Sequence, residues 1–213
     1  IMMKNKILNK TMVITSILCI LPIIMYLCVW DKLPDPMPIH FDSQGYADSY
    51  APKAFAALGL PAILLVINVM VNFMVDADPR SSHSGREVKA LGKWMVPVIS
   101  LLVNFMVVFI CLGMNVNISM VSSVLLGIVM LVIGNNLPKS KRNYTIGIKL
   151  PWTLNSDDNW NRTHRLGGYM FIASGAVMIL NVFFNISWLI FLVLGLCILV
   201  PGVYSYILYK KGV

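Results

Sequence analysis

Long apolar runs alternate with polar segments along the whole chain. Six runs contain no Asp, Glu, Lys or Arg; they cover residues 11–30, 54–75, 94–113, 118–134, 168–184 and 188–208. A helix that crosses the hydrocarbon core of a bilayer needs about 20 mostly apolar residues. The pattern therefore predicts an all-α polytopic membrane protein, with a bundle of six transmembrane helices forming a single transmembrane domain over residues 1–213.

The composition supports a membrane location. Hydrophobic residues make up 58% of the 213 residues and charged residues 12%, and a water-exposed surface requires more charge than that. Lys4, Lys6 and Lys10 precede the first run, as basic residues do in a secretory signal peptide. The apolar core of this run is longer than about 15 residues and Asp31–Pro34 is not a small-residue cleavage site, so we expect a retained first helix.

Positive charges predict the orientation, because short cytoplasmic loops collect Lys and Arg. Six spans with both termini in the cytoplasm put 15 of the 17 positive charges inside, leaving Lys32 and Lys53 outside. The loop of residues 31–53, here called the proline-rich loop, is then external. The segment of residues 135–167, here called the polar segment, is then cytoplasmic. The net charge of +8 follows from this topology, and we expect no direct nucleic-acid binding.

Polar and sulfur-containing residues inside the spans indicate packing, and for the polar ones a lined pathway or a peptide-binding groove is the alternative interpretation. The cysteines are far apart in sequence and predict neither a disulfide framework nor a zinc site; they are Cys19, Cys28, Cys111 and Cys197. Four asparagines should face the bundle interior and bond across helices, since an amide in hydrocarbon needs a partner; they are Asn68, Asn72, Asn104 and Asn181. We expect no cofactor.

The proline-rich loop is too patterned for a simple connector. Prolines at positions 34, 36 and 38 favour an extended or polyproline path, after which His40, Phe41 and Asp42 lead into a turn at Gly45. Three interpretations stay open: a loop held by its own hydrogen bonds, a partner-binding surface, or a metal or catalytic site. A single histidine with Asp42 and Asp48 is a weak zinc pattern.

The polar segment contains turn and helix signals in succession. Residues 134–138 end the fourth run, and residues 143–151 have the Gly and Pro of a compact turn. Ser156 followed by two aspartates predicts a helix N-cap. A short helix there would place Asp157, Trp160 and His164 on one face. One interpretation is an interfacial helix anchored by Trp152 and Trp160; the other is a face that binds a partner or locks the segment against the bundle.

The polar segment resembles the SdpI (Sdp immunity protein) family. Residues 134–168, GNNLPKSKRNYTIGIKLPWTLNSDDNWNRTHRLGG, are similar to the family signature, in which an Asn-Tyr run ending in Pro-Trp-Thr precedes a Trp-x-x-x-His pair. The proline-rich loop, with its Pro-x-His-aromatic motif, resembles the domain of unknown function that commonly precedes this signature. Lys149 stands where Arg is more usual and Asp42 where Asn is usual. Lys keeps the charge but loses the bidentate fork of Arg.

The resemblance implies a set of partner-binding residues in each region. The external set is Pro38, His40, Phe41, Asp42, Gly45 and Asp48. The cytoplasmic set is Asn136, Pro138, Asn143, Gly147, Lys149, Pro151, Trp152, Thr153, Trp160 and His164.

The resemblance also implies a function: a protein of the bacterial inner membrane that protects its producer from a secreted, membrane-active peptide toxin. A second implied role is to hold a transcriptional repressor at the membrane when toxin is present. Two other classes stay open. A metal-dependent membrane enzyme needs a polar cluster at one membrane face, but the charge pattern puts His40 and His164 on opposite sides. A small transporter or lipid-handling protein would be favoured by ionisable residues inside the spans, and the runs contain no Asp, Glu, Lys or Arg.

Overall fold

The computed structural model describes residues 9–42, 44–80 and 85–213, so Lys4 and Lys6 lie outside the described residues. Seven α-helices and one hairpin occur in this part of the chain. The helices are α1 (Lys10–Cys28), α2 (Leu60–Ala77), α3 (Arg86–Cys111), α4 (Ile118–Asn136), α5 (Pro151–Asn155), α6 (Asp157–Leu180) and α7 (Leu189–Lys210). The strands are β1 (Met37–Phe41) and β2 (Ala47–Ala51). A π-helical turn, Phe55–Gly59, leads into α2.

Six helices in the described residues are long and apolar enough to cross a membrane. They run over Lys10–Cys28, Phe55–Ala77, Arg86–Cys111, Ile118–Lys139, Asp157–Phe183 and Leu189–Lys210. The predicted all-α class with six spans is confirmed. The third helix begins eight residues before the predicted apolar run, and the fifth begins eleven residues before it. Helical hydrogen bonding continues past the apolar limit, because a helix that leaves the bilayer needs no apolar surface to stay helical.

Residues 9–77 and 90–116 form one compact unit. Its apolar core gathers residues from the ends of α1 and α3 and from the chain entering β1, including Tyr26, Met37 and Val108. Polar side chains form hydrogen bonds between its helices. The amide nitrogens of Asn68 and Asn72 each donate to the Thr15 hydroxyl at 3.2 Å.

The predicted role of the intramembrane asparagines is confirmed for three of them. Besides Asn68 and Asn72, Asn104 bonds across helices, accepting a hydrogen bond from the Tyr26 hydroxyl at 3.0 Å. Asn181 does not. Its side chain closes the turn after α6, where it accepts from the N–H of Ile186 at 2.9 Å and donates to the Ile186 carbonyl at 3.2 Å. The sequence pattern did not show that Asn181 lies at the end of its helix, where free backbone groups compete for the amide.

The proline-rich loop contains a β-hairpin, so of the predicted extended or polyproline path the extended alternative is correct at Pro38. Strands β1 and β2 pair antiparallel, with Met37 opposite Ala51 and Phe41 opposite Ala47, and the register shifts on both sides of His40. Gly45 in the turn has φ of 87°, a conformation that favours glycine. Pro38 is the second residue of β1. A partner strand satisfies its backbone groups, which polyproline II would leave to water.

Residues 78–89 and 117–213, apart from 81–84, form the second compact unit. Helices α4 and α6 approach so closely that a Cβ added to Gly134 would lie 2.8 Å from the carbonyl oxygen of Gly168. Gly127 and Gly175 meet in the same way seven residues, or about two turns, further along, at 2.8 Å. Small residues allow helix backbones to pack in direct contact inside a membrane. The single-domain organisation over residues 1–213 stays a prediction.

Candidate functional site

The polar segment lies within the second unit, and Asn143 holds its first turn together. This side chain is buried, with 2% of its surface exposed. Its amide nitrogen donates to the Ile146 carbonyl at 2.9 Å and to the Ser140 hydroxyl at 3.1 Å. Its oxygen accepts the N–H groups of Thr145 and Ile146 at 2.9 and 2.6 Å. One asparagine therefore satisfies the backbone of a turn that has no regular secondary structure.

Trp160 and His164, one turn apart on α6, form the centre of the segment. Both are fully buried, and their rings stack with centroids 3.9 Å apart. The indole N–H of Trp160 donates to the Ser140 carbonyl at 2.6 Å. His164 Nδ1 lies 2.8 Å from the Trp160 carbonyl, and Nε2 accepts the backbone N–H of Ile148 at 2.9 Å. These partners require the neutral imidazole with its proton on Nδ1.

Gly147 completes the contact between the turn and α6. Its φ is 131°, and a Cβ at this position would collide with His164 Nε2 and lie 3.0 Å from the Trp160 ring. The turn therefore needs glycine for two reasons, its backbone conformation and its space. We call Ser140, Gly147, Trp160 and His164 the Trp–His lock. It binds the turn to α6 with buried rings and two hydrogen bonds, those to Ser140 and Ile148.

Other residues of the predicted cytoplasmic set make structural contacts of their own. Thr153 is buried and caps α5, accepting the Leu150 N–H at 2.9 Å. Trp152, beside Pro151 at the start of α5, stacks on Tyr209 of α7 at 5.8 Å between centroids. Asn136 is the last residue of α4 and donates to the Val132 carbonyl at 2.8 Å, and Pro138 lies in the 3-10 turn that follows.

Two predictions about α6 need correction. Its first turns are not a separate interfacial helix, since α6 runs without a break from Asp157 to Leu180. Trp160 has no exposed surface, so it does not anchor the protein at the membrane interface. The predicted N-cap is confirmed, because the Ser156 hydroxyl accepts the Asn159 N–H at 3.2 Å. Asp157 is the first residue of α6 and, unlike Trp160 and His164, is not buried. It is exposed and pairs with Arg142 at 2.7 Å.

Sequence reasoning missed Asp78, the first residue after α2. It is 8% exposed, and one carboxylate oxygen accepts both the Tyr144 N–H and the Thr145 hydroxyl at 2.8 Å. Its other oxygen accepts the Arg80 N–H at 2.8 Å. Burial alone would raise the pKa of Asp78, but these hydrogen bonds outweigh burial and place the pKa below its ordinary value. The sequence does show an aspartate next to the end of a span, but the positive-inside rule counts only Lys and Arg and so gave this residue no weight.

Two cations lie against Tyr144. The guanidinium carbon of Arg80 lies 4.7 Å from the centre of the Tyr144 ring. The ammonium of Lys149 donates to the carbonyl oxygens of Thr145 and Tyr144 at 3.1 and 3.4 Å. Tyr144 itself is 48% exposed. The polar segment therefore has a buried half, the Trp–His lock, and an exposed half that contains Tyr144 and Lys149.

In the proline-rich loop the structure brings together two of the three candidate ligands. His40 Nδ1 lies 2.5 Å from Asp48 Oδ1, and both side chains are exposed. Asp42 instead closes the turn, accepting the N–H groups of Gln44 and Tyr46 at 2.8 and 2.9 Å. Among the described residues no group of three or more His, Cys, Asp or Glu side chains is placed to hold a metal ion.

The hairpin surface is also partly apolar. Tyr46 is 74% exposed and Tyr50 is 56% exposed. Of the other predicted residues, Pro38 is buried and Phe41 is half-buried. The accessible part of the predicted external set therefore consists of His40 and Asp48, with Tyr46 and Tyr50 added by the structure.

Comparison with known proteins identifies both regions. Residues 139–205 match the SdpI/YfhL protein family, and residues 17–65 match the domain of unknown function DUF1648. The chain carries an SdpI-family region preceded by a DUF1648 domain. It is 22% identical over 205 residues to the immunity protein SdpI of Bacillus subtilis (strain 168), covering 95% of this chain and 97% of that protein. No solved structure matches the chain.

The SdpI resemblance predicted from the sequence is thus confirmed. The SdpI-family match begins at Lys139 and includes the Trp–His lock as well as α7 up to Ser205. The DUF1648 match covers most of α1, the hairpin and the start of α2. The chain is a multi-pass membrane protein similar to a membrane immunity protein.

Proposed function

We propose that this protein is an immunity protein of the bacterial inner membrane that protects its producer from a secreted, membrane-active peptide toxin. The observation that carries the proposal is the similarity to the immunity protein SdpI along almost the full length of both chains. The match includes both patterned regions, the hairpin and the polar segment. A likeness limited to the apolar spans would say much less, because any two bundles of membrane helices share composition.

The hairpin is the proposed contact for the toxin. It presents the exposed aromatic side chains of Tyr46 and Tyr50 next to the polar pair of His40 and Asp48. Aromatic residues are enriched at the energetic centres of protein interfaces. A surface with aromatic and hydrogen-bonding groups side by side fits a peptide that is itself amphipathic. The register shifts beside His40 make this edge irregular, which disfavours indiscriminate strand pairing.

The exposed half of the polar segment is the proposed site for a cytoplasmic partner such as a transcriptional repressor. Trp160 and His164 are buried, so their proposed role is to hold that surface in shape. Residues that remain accessible include Lys149, Pro151 and Tyr144. The resemblance to SdpI supports this second role, and the immunity proposal stands without it.

Expression in a Bacillus subtilis strain that lacks SdpI tests the immunity function. Cells producing this protein and challenged with the toxin against which SdpI protects should survive, while cells with an empty vector should not. Replacing His40 with alanine should lower the tolerated toxin concentration about tenfold or more, equivalent to about 1.4 kcal/mol of binding. Tyr46→Ala should also lower the tolerated toxin concentration, because it removes an aromatic ring proposed to contact the toxin. The ring is exposed, so its loss should leave the fold intact.

Gln44→Ala is the matched control, since Gln44 is exposed in the same turn and donates to Asp42 through its backbone N–H, which alanine keeps. Membrane levels of all variants are measured by immunoblot. Survival no better than empty vector, at normal membrane levels of wild-type protein, would contradict the immunity proposal. Equal protection by wild type and both hairpin variants would contradict the hairpin as the toxin contact.

The proposed orientation has a separate test. Single cysteines replace Ser49, exposed on β2, and Lys141, exposed in the polar segment, in a background without the four native cysteines. A membrane-impermeant thiol reagent should label the Ser49→Cys protein in intact cells and the Lys141→Cys protein only after permeabilisation. Labelling of both in intact cells would overturn the topology with two cytoplasmic termini.

A further inference from the structure

The connector after α2 and the polar segment build one cationic surface in the second unit. Asp78 accepts hydrogen bonds from the Tyr144 N–H and the Thr145 hydroxyl and so holds both residues in place. Arg80, two residues later, covers the Tyr144 ring. Lys149 reaches back to the carbonyl of the same tyrosine. Residues separated by more than 60 positions in sequence are therefore held together around Tyr144.

These two cations differ from others in the same unit. Three basic residues there have acidic partners: Lys139 with Glu87, Arg142 with Asp157, and Arg162 with Asp158. Within the described part of the chain, neither Arg80 nor Lys149 pairs with a carboxylate. The buried Nη1 of Arg80 has no hydrogen-bond acceptor among those residues. An unsatisfied charged donor is costly, and an anion would relieve that cost.

The position of the surface indicates which anion. The candidate span that contains α2 ends at Ala77, so Arg80 follows three residues after the apolar region, at the depth of lipid headgroups. A half-exposed tyrosine such as Tyr144 is typical of that layer. We propose that Arg80, Tyr144 and Lys149 bind the phosphate of an anionic phospholipid headgroup.

The chemistry of the three groups suits a phosphodiester. Arginine presents a planar fork that matches phosphate oxygens, and the Lys149 ammonium has a third N–H left after its two carbonyl contacts. Asp78 limits the local charge, since two cations and one carboxylate leave a net +1. A headgroup with one negative charge, such as phosphatidylglycerol, balances this better than a polyanion. The site shares Tyr144 and Lys149 with the surface proposed for a cytoplasmic partner, so a bound lipid and that partner would compete. It has no residue in common with the hairpin proposed to contact the toxin, so the immunity proposal and this one can fail separately.

Lipid binding to the purified full-length protein in detergent tests the site. Native mass spectrometry counts bound lipids during titration with phosphatidylglycerol or zwitterionic phosphatidylcholine. Wild type should retain phosphatidylglycerol in preference to phosphatidylcholine. The double variant Arg80→Gln, Lys149→Gln should lose this preference, with affinity for phosphatidylglycerol falling about tenfold or more. Lys149→Gln alone, at an exposed position, should give part of the loss without disturbing the fold.

The control variant Lys139→Gln, Arg162→Gln removes the same charge from cations that have acidic partners, and it should bind like wild type. An equal loss in the control would mean that only net charge matters and would overturn the site. Unchanged lipid preference in the Arg80, Lys149 double variant would also overturn it. A polyglutamate peptide serves as the competing ligand. Binding of this peptide through Arg80 and Lys149, without selective lipid binding, would assign the surface to an acidic protein partner and refute the lipid proposal.

Discussion

Trp160→Ala is expected to detach the polar segment from α6 and to lower the free energy of unfolding by about 3–5 kcal/mol, the usual cost of deleting a buried aromatic side chain. The ring is fully buried and stacks on His164. Its N–H is the donor to the Ser140 carbonyl, so the mutation also leaves a buried acceptor without that partner. Thermal unfolding in detergent and protease sensitivity of the polar segment measure the two effects.

Smaller changes separate the contributions to the lock. Trp160→Phe keeps most of the ring volume but removes the N–H, and should cost about 1–3 kcal/mol. His164→Gln offers an acceptor for the Ile148 N–H and should be tolerated better than His164→Ala. Trp188→Ala is the matched control, because Trp188 is 62% exposed. If Trp160→Ala unfolds and is cleaved like the Trp188 control, the lock does not hold the segment.

Gly147→Ala is expected to have an effect of similar size, although it adds only one methyl group. At φ of 131° any side chain is strained, at a cost of about 1–3 kcal/mol, and the new Cβ would overlap the buried His164 ring. Overpacking adds about 1–3 kcal/mol. We therefore expect a loss of about 3 kcal/mol or more in unfolding free energy, together with protease cleavage between residues 140 and 150 and reduced protection against toxin.

Gly113→Ala separates strain from collision. Gly113 also has positive φ, 84°, but a Cβ there meets nothing within 4 Å. Its substitution should cost only the backbone strain. Equal losses of stability for the two variants would show that Gly147 is required for its conformation alone, and would contradict the close packing against His164.

The membrane architecture could be predicted from local sequence because the bilayer imposes a local rule. Each span must be apolar over its own length, so the runs from 11–30 to 188–208 predict helices without knowledge of their neighbours. Helix ends were harder to place. The start of α6 at Asp157 lies outside the apolar run, and only contacts of Trp160 and His164 with residues of the preceding turn show why the helix extends that far.

The sequence predicted which residues belong to the candidate site but not how they are arranged. Trp160 and His164 were expected on one face, and they do share one. Whether that face met lipid, a partner or the protein depended on Gly147 and Ser140, which reach it through the path of the intervening turn. Asp78 was missed because its contacts with Tyr144 and Thr145 span more than 60 residues, and no periodic pattern encodes such a pairing.

The amino-acid sequence by itself determined the six spans and the family resemblance, and its charge pattern predicts their orientation, because hydropathy, charge and motif are properties of neighbouring residues. Only the tertiary structure decided which patterned residues are structural and which are accessible. It buried Trp160, His164 and Asn143 and left Tyr144, Lys149, His40 and Tyr46 exposed. The physical reason is that burial depends on what packs against a side chain, and those neighbours come from distant parts of the chain.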